Sequence, residues 1–349
     1  MNPSKPKKYK SILSIDGGGV RGIIAAQILA TLEHRLQART GNPESRLADY
    51  FDLIAGTGTG AILACAYLSP VKPHIHSARF NASQVVDLYV KYAATIFNET
   101  FDHKIVSLGG LIDEKYSSTE IEKVFNSYFE DLHLKHLLKP CLITAYDITK
   151  RNAYFFNRTS AMDKPSADFF VRDVARAATA LPTYFECKEI QSFSGVGYTL
   201  IDGSIFANNP ALCAFTEARK IFSQQEPQLR SLPIEQLLIF SLGTGLPKTQ
   251  YTYEDAKDWG LAAWSKPIID IAATANAETV DYHLSQLYEN IGKSNQYLRI
   301  NPELPIDIEA DIDNAEPENL TSLKELGITL TEEYEDKIDE FVKLLLATV

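Results

Sequence analysis

Three short stretches carry residue types that could do chemistry together. In Asp52-Leu-Ile-Ala-Gly-Thr-Gly-Thr-Gly-Ala-Ile-Leu-Ala-Cys-Ala-Tyr67 a short apolar strand (Leu53, Ile54, Ala55) runs into a glycine-dense turn and then into an apolar segment that reads as a buried helix. Strand, sharp turn and helix are the setting of a nucleophile elbow, G-x-S-x-G, a turn too tight for side chains at its outer positions. The outer glycines, Gly56 and Gly60, are present, with Thr57 and Thr59 inside them; the serine is not, because position 58 is Gly. The second stretch is Asp16-Gly-Gly-Gly-Val-Arg-Gly22, between a strand and a helix. The third is Asp202-Gly203 at a strand end, followed by the polar turn Asn208-Asn-Pro210.

Each stretch has more than one reading by itself. Gly17-Gly18-Gly19-Val-Arg21-Gly22 matches G-x-G-x-x-G, which suits a dinucleotide pyrophosphate at a helix N-terminus. The acid expected about twenty residues on is absent, since Gln37, Ala38 and Arg39 stand there. Consecutive glycine N–H groups backed by a helix dipole also suit an oxyanion hole. A tight strand-to-helix turn with no ligand is the third reading. Asp202 stands where open α/β sheets place chemistry, and equally where a turn aspartate satisfies backbone N–H groups.

The elements that must position these stretches follow from periodicity. Tyr9 to Ile15 reads as a strand, and Ile24, Ile28, Leu32 and Leu36 recur at helical spacing after it, with Gly41 as a stop. The elbow repeats the strand–turn–helix unit, which predicts a mainly parallel sheet with helices on its faces. Residues 70–130 read as a helical insertion over the core, its first helix capped by Ser83. Within it, Leu108, Leu111 and Ile112 lie between glycines as a candidate lid or membrane-touching edge. Strands are expected at Cys141–Tyr146 and Tyr154–Phe156, paired through a turn near Lys150, and then a helix from Asp168 to Ala180. Strands at Tyr198–Ile201, Leu237–Leu242 and Gln296–Ile300 follow, with helices at Ala211–Phe222 and Trp259–Leu287. An acidic segment follows, superficially like a calcium loop but without its glycine and terminal Glu. Thr331 is expected to cap one final helix carrying Tyr334, Ile338, Phe341 and Leu345 on one face, a possible docking stripe. The organisation expected is a basic arm (1–10), an α/β domain (11–304) and a C-terminal extension (305–349).

Composition sets the bounds. The 349 residues are 45% hydrophobic and 23% charged, an ordinary globular balance. A net charge of -11 argues against a general nucleic-acid footprint and against broad attraction to anionic lipid. Lys5, Lys7, Lys8 and Lys10 are the local exception and read as a solvated tail. The four cysteines, Cys65, Cys141, Cys187 and Cys213, lack C-x-x-C spacing and read as buried thiols in a reducing compartment. No signal-peptide pattern and no run of about 20 apolar residues occurs, so a cytoplasmic protein, peripheral to membranes at most, is expected.

Taken together, Asp16–Gly22, Phe51-Asp-Leu-Ile-Ala-Gly-Thr57, Val171-Arg-Asp-Val-Ala-Arg-Ala-Ala-Thr179 with Pro182-Thr-Tyr-Phe185, Ile201-Asp-Gly203 and Phe206-Ala-Asn-Asn-Pro-Ala211 resemble the patatin-like phospholipases, lipid acyl hydrolases with a Ser–Asp dyad. The resemblance spans roughly Ser11 to Ile300 and implies a three-layer α/β fold. It implies an oxyanion hole from Gly17, Gly18, Gly19 and Gly22, with Arg21 fixing the loop, and Asp202 as general base. It places the nucleophile at position 58, where this chain has Gly58. No cofactor or metal is implied, and the partner is a phospholipid or other acyl lipid at a membrane surface. Two smaller departures are Ala61 and Ser204, where the family has glycine, and glycine or alanine. A base and oxyanion hole without a nucleophile cannot form an acyl-enzyme, and water activated by Asp202 would react very slowly. Gly58 is then either an engineered knock-out or the mark of a natural pseudoenzyme; the alternative function is a non-catalytic lipid or acyl-group binder.

Overall fold

The computed structural model describes residues 7–97, 114–225, 231–247 and 250–347. Eight strands form one sheet: β1 (Lys10–Ile15), β2 (Leu53–Gly56), β3 (Cys141–Asp147), β4 (Asn152–Asn157), β5 (Lys188–Gln191), β6 (Gly197–Asp202), β7 (Leu237–Leu242) and β8 (Tyr297–Ile300). Their order is β5-β6-β3-β2-β1-β7-β8, with β4 also paired to β3. The strands from β3 through β2, β1 and β7 to β8 run parallel, whereas β4, β5 and β6 pair antiparallel. The central strands are buried on both faces, as all-apolar runs such as Leu237-Leu-Ile-Phe require.

Helices cover both faces. They are α1 (Gly22–Thr40), α2 (Thr59–Leu68), α3 (Ala82–Ile96), α4 (Ser118–Phe129), α5 (Val171–Ala178), α6 (Ala211–Gln225), α7 (Leu261–Asn290), α8 (Pro317–Glu333) and α9 (Glu335–Leu345). Strand alternation splits the core in two. Leu13, Ile54, Ile143 and Phe240 face α1 to α5, α8 and α9, while Ile12, Leu53, Ala55 and Ile239 face α6 and the second half of α7. This is a three-layer α/β fold.

One detail of the sheet positions the site. β4 occupies one edge of β3 along Leu142–Asp147. The other edge is shared: β2 pairs with its first half, ending at Gly56 opposite Ile143, and β6 with its second half, ending at Asp202 opposite Ala145. β2 and β6 therefore meet end to end, with only Thr144 between their last partners.

Several expectations need correction. The C-terminal segment forms two helices, not one. Pro317 opens α8 at a position where its missing N–H is no loss. Thr331 is buried inside α8, its hydroxyl donating back to Ile328 O at 2.6 Å instead of capping. Ile338, Phe341 and Leu345 of α9 are buried in the main core, so that stripe is not an open docking face. The cap of α3 is Asn81, which exchanges hydrogen bonds with Gln84, and Ser83 lies inside the helix. α5 starts at Val171 instead of Asp168, whose buried carboxylate is engaged by Lys135 N and His133. β5 was not foreseen, being short and edge-placed. Cys65 and Cys141 are buried, but Cys187, flanked by Glu186 and Lys188 before the edge strand, is exposed and Cys213 half-buried. The basic arm is tied down where it is described: Lys7 Nζ donates to Tyr50 O at 2.5 Å, and Lys8 N to Ala347 O. Lys5 and the stretch holding Leu108, Leu111 and Ile112 lie outside the described residues.

Phe341 packs against Phe240 of the central sheet, the rings tilted by 38° with centroids 5.3 Å apart. Phe341→Ala is expected to cost about 3–5 kcal/mol in chemical denaturation; a loss below about 1 kcal/mol would mean that α9 is no part of the cooperative core.

Candidate active site

The elbow closes on itself through contacts that exclude side chains. A Cβ on Gly56 would stand 2.1 Å from Gly60 O, and one on Gly60 would stand 2.1 Å from Ile15 O. Between them Gly58 has φ +53° and ψ −121°, a region where other residues are held only under strain. A Cβ added at Gly58 would lie 3.1 Å from Asp202 Oδ2 and 3.4 Å from Gly17 Cα. The structure thus brings all three sequence-predicted stretches to one point.

The flanking threonines serve the scaffold. Thr57 Oγ1 donates to Ala207 O at 2.7 Å and accepts from Thr144 Oγ1 at 2.7 Å, under the junction of β2 and β6. Thr59 Oγ1 hydrogen-bonds the Tyr89 phenol, whose own proton goes to Gly19 O at 2.6 Å. Both hydroxyls are occupied, and neither takes the place of a side chain at position 58.

The glycine loop after β1 is held from every side. Thr244 Oγ1 donates to Gly17 O at 2.8 Å, Gly17 N to Asn208 O, Val20 N to Ile312 O, and Arg21 N to Gly18 O. Among the described residues, only the N–H groups of Gly18 and Gly19 in the Gly17–Arg21 run lack an acceptor. Of the expected anion donors, Gly17 is therefore already committed to Asn208. Gly22 begins α1 against Thr59, whose Oγ1 would be 2.4 Å from an added Cβ. Arg21 is buried, its Nε 3.4 Å from Gly18 O and its Nη1 without a partner among the described residues.

Two buried carboxylates, Asp16 just after β1 and Asp202 at the end of β6, are held differently. Asp16 is gripped by Arg299 of β8 through two hydrogen bonds, 2.9 and 2.5 Å, with Arg299 also held by Ser241. Among the described residues Asp202 has no cation beside it. Its Oδ1 accepts from Ser204 N at 2.8 Å, and its Oδ2 faces Gly58. Burial pushes its pKa up to about 7, the Ser204 hydrogen bond opposing. Gly203 is required beside it because a Cβ there would meet Thr144 Oγ1 at 2.3 Å.

The site opens into a cavity of about 440 Å³. Ile62, Leu63, Val85, Phe125 and Phe129 line one side, and Leu246, Pro247, Tyr251, Pro267, Ala273 and Ile312 another. Such volume and apolar lining suit an acyl chain or a small apolar ligand. No histidine among the described residues lines it; His133, which pairs with Asp168, lies elsewhere. Among the described residues no group of three His, Cys, Asp or Glu side chains is placed to hold a metal.

Compared with known proteins, residues 13–215 match the family model of the patatin-like phospholipases. The chain belongs to the patatin-like phospholipase family. Over 357 residues it is 31% identical to Patatin-like protein 2 of Oryza sativa subsp. japonica, covering 96% of this chain and 87% of the relative. Patatin-like protein 1 of Arabidopsis thaliana is 33% identical over 93% of this chain and 84% of its own length. A potato (Solanum tuberosum) relative named "Probable inactive patatin-3-Kuras 1" is 30% identical over 96% and 92%. By family, the patatin-like site is that of a lipid acyl hydrolase.

Sequence reasoning missed Tyr89, Thr144 and Arg299. Tyr89 read as one apolar position of an amphipathic helix, and a phenol at such a position gives no sign of its hydroxyl. Arg299 gave a signal: a cation inside an otherwise apolar strand needs a buried acid, and Asp16 was available.

For Asp202 the folded pKa, about 7, lies above the ordinary 3.8. Between these values the folded state holds a proton that the unfolded state has released, so stability falls as pH rises through this window. Asp202→Asn should therefore gain stability relative to the parent between pH 4 and 7, by about 2–4 kcal/mol, and no more above pH 8. Thermal unfolding across pH checks this; a constant difference would place the carboxylate in solvent.

Proposed function

We propose that this chain binds acyl lipid in a hydrolase site that lacks its nucleophile, and that ester cleavage is absent or nearly so until serine occupies position 58. The observation that carries this reading is the 3.1 Å between Asp202 Oδ2 and a Cβ added at Gly58. A serine there would present its hydroxyl to a carboxylate whose pKa, about 7, suits a general base near neutral pH. Gly18 and Gly19 supply N–H groups for the oxyanion, and Arg21 adds positive charge behind the loop. The apolar cavity takes the acyl chain. Everything that acyl transfer needs apart from the nucleophile is in reach of one point.

In the Ser–Asp scheme Asp202 would take the serine proton as its oxygen attacks the ester carbonyl. The oxyanion would collapse to an acyl-enzyme as Asp202 hands that proton to the departing alcohol oxygen; water would then attack the acyl carbon, losing a proton to Asp202, and the fatty acid would leave as the serine oxygen takes that proton back. With glycine at 58 the first step has no attacking atom. Thr57 and Thr59 do not replace it, since both hydroxyls are engaged in the scaffold. The bearing of one relative's name, "Probable inactive patatin-3-Kuras 1", is on the same question.

Gly58→Ser is expected to raise fatty-acid release from phosphatidylcholine vesicles, or hydrolysis of a short-chain ester, by at least about 10³ over the parent. Adding Asp202→Asn should return it to the parent level, and the revertant's rate should climb with pH up to about 7. A revertant silent on both substrates overturns the reading. The same substitution forces a side chain into φ +53° and should lower stability by about 1–3 kcal/mol in denaturant titration; an unchanged midpoint would show that the elbow relaxes.

A further inference from the structure

The first half of α7 presents apolar residues to solvent on one face and to the cavity on the other. Leu261 is 94% exposed and Ile268 51%, and Trp264, Ile271, Ala272 and Ala275 are exposed with them. These positions recur at helical spacing and share one side of the helix. Pro267, Asp270, Ala273, Thr274 and Ala277, on the opposite side, line the cavity. Between Leu261 and Ala275 the only charged residues are Lys266 and Asp270. Just before the helix, Tyr251 packs edge-on to Trp259 and Trp259 to Trp264, with ring centroids 5.2 and 5.0 Å apart, and Tyr253 is 78% exposed.

We infer that this face is a membrane-docking surface that seats the cavity mouth on a zwitterionic phospholipid bilayer, with the first half of α7 lying in the interface. The inference rests on the acyl-lipid reading of the site and adds where the lipid phase is met. Three observations select that occupant. Tyr251 belongs both to the exposed aromatic cluster and to the cavity lining, so a lipid entering the cavity crosses this face. Indole and phenol rings flanking aliphatic side chains suit the headgroup boundary, where one end of the ring is wet. Along the first half of α7 the face carries almost no charge, the flanking 254–258 segment is net acidic (Glu254, Asp255 and Asp258 against Lys257), and the chain has a net charge of -11, which together favour neutral over anionic lipid. No helix among the described residues is long and apolar enough to cross a membrane, which leaves the first half of α7 lying in the surface.

The chain's two tryptophans, Trp259 and Trp264, both belong to this cluster, so intrinsic fluorescence reports on it directly. Titrating the full chain with phosphatidylcholine vesicles should shift its emission to the blue, and brominated acyl chains should quench it. Leu261→Asp with Ile268→Asp, both outside the cavity lining, should cut vesicle co-sedimentation at least tenfold with an unchanged circular dichroism spectrum. In the Gly58→Ser background the same pair should lower turnover on vesicles at least tenfold and leave a soluble short-chain ester unaffected. Absence of binding to neutral vesicles, or binding only to anionic ones, overturns the inference. So does a blue shift that grows with protein concentration alone, which would assign the face to a second copy of the chain. Vesicle binding beside a Gly58→Ser variant silent on both esters would uphold the docking face and fail the hydrolase reading, so the two are separable.

Discussion

The site depends on one constraint, the sharing of a single edge of β3 by two strands that run toward each other. β2 ends at Gly56 opposite Ile143, and β6 ends at Asp202 opposite Ala145. Thr144, the residue between, sends its hydroxyl to Thr57 and blocks any side chain at position 203. A slip of one residue in either pairing would turn the strand-end side chains to the opposite face of the sheet. The approach of Asp202 to position 58 is thus fixed by hydrogen-bonded register.

Electrostatics divides the two buried acids at this end of the sheet. Asp16 is neutralised by Arg299 and anchors the start of the glycine loop. Removing that arginine would leave a buried carboxylate alone, a loss of order 3–5 kcal/mol. Asp202 is left in that condition, with one backbone N–H for support. Burial raises the pKa of both acids, Asp16 to about 6 against the opposing charge of Arg299 and Asp202 to about 7 with no such charge beside it among the described residues. The two carboxylates are distinguished by the partner each has.

Much of this was legible in the sequence. The strand–glycine–helix units gave the parallel half of the sheet, because apolar runs bounded by glycine have few alternatives. The elbow, the glycine loop and Asp202 were each visible by type and spacing, and their convergence followed from the family resemblance. The antiparallel half was less legible: β5 is a four-residue edge strand whose only buried side chain is Ile190, too weak a pattern to register. α8 was hidden because its acidic, polar first turn reads like the segment before it, and its contact with α1 depends on Gly327, which allows Gln27 to approach closely. Tyr89 escaped because a buried hydroxyl looks like any apolar position until its acceptor, Gly19 O, is known.

α7 shows why the cavity and the surface have to be considered together. Ordinarily an amphipathic helix turns its apolar face inward and its polar face outward, and an exposed apolar stripe invites association. Here the outward face is apolar and the cavity side mixes Pro267, Ala273 and Ala277 with Asp270 and Thr274, Pro267 interrupting the hydrogen-bond ladder. The inward face is explained by the cavity it walls. Among the described residues the outward face has no protein partner, and water is a poor one for Leu261, Ile268 and Ile271. A bilayer satisfies both at once: the acyl chain drawn into the cavity and the surface it came from are the same apolar phase, separated by the thickness of one helix. On that account binding needs no nucleophile at position 58, because the free energy comes from apolar burial along α7 and within the cavity, whereas the serine hydroxyl would contribute only to the barrier of the chemical step.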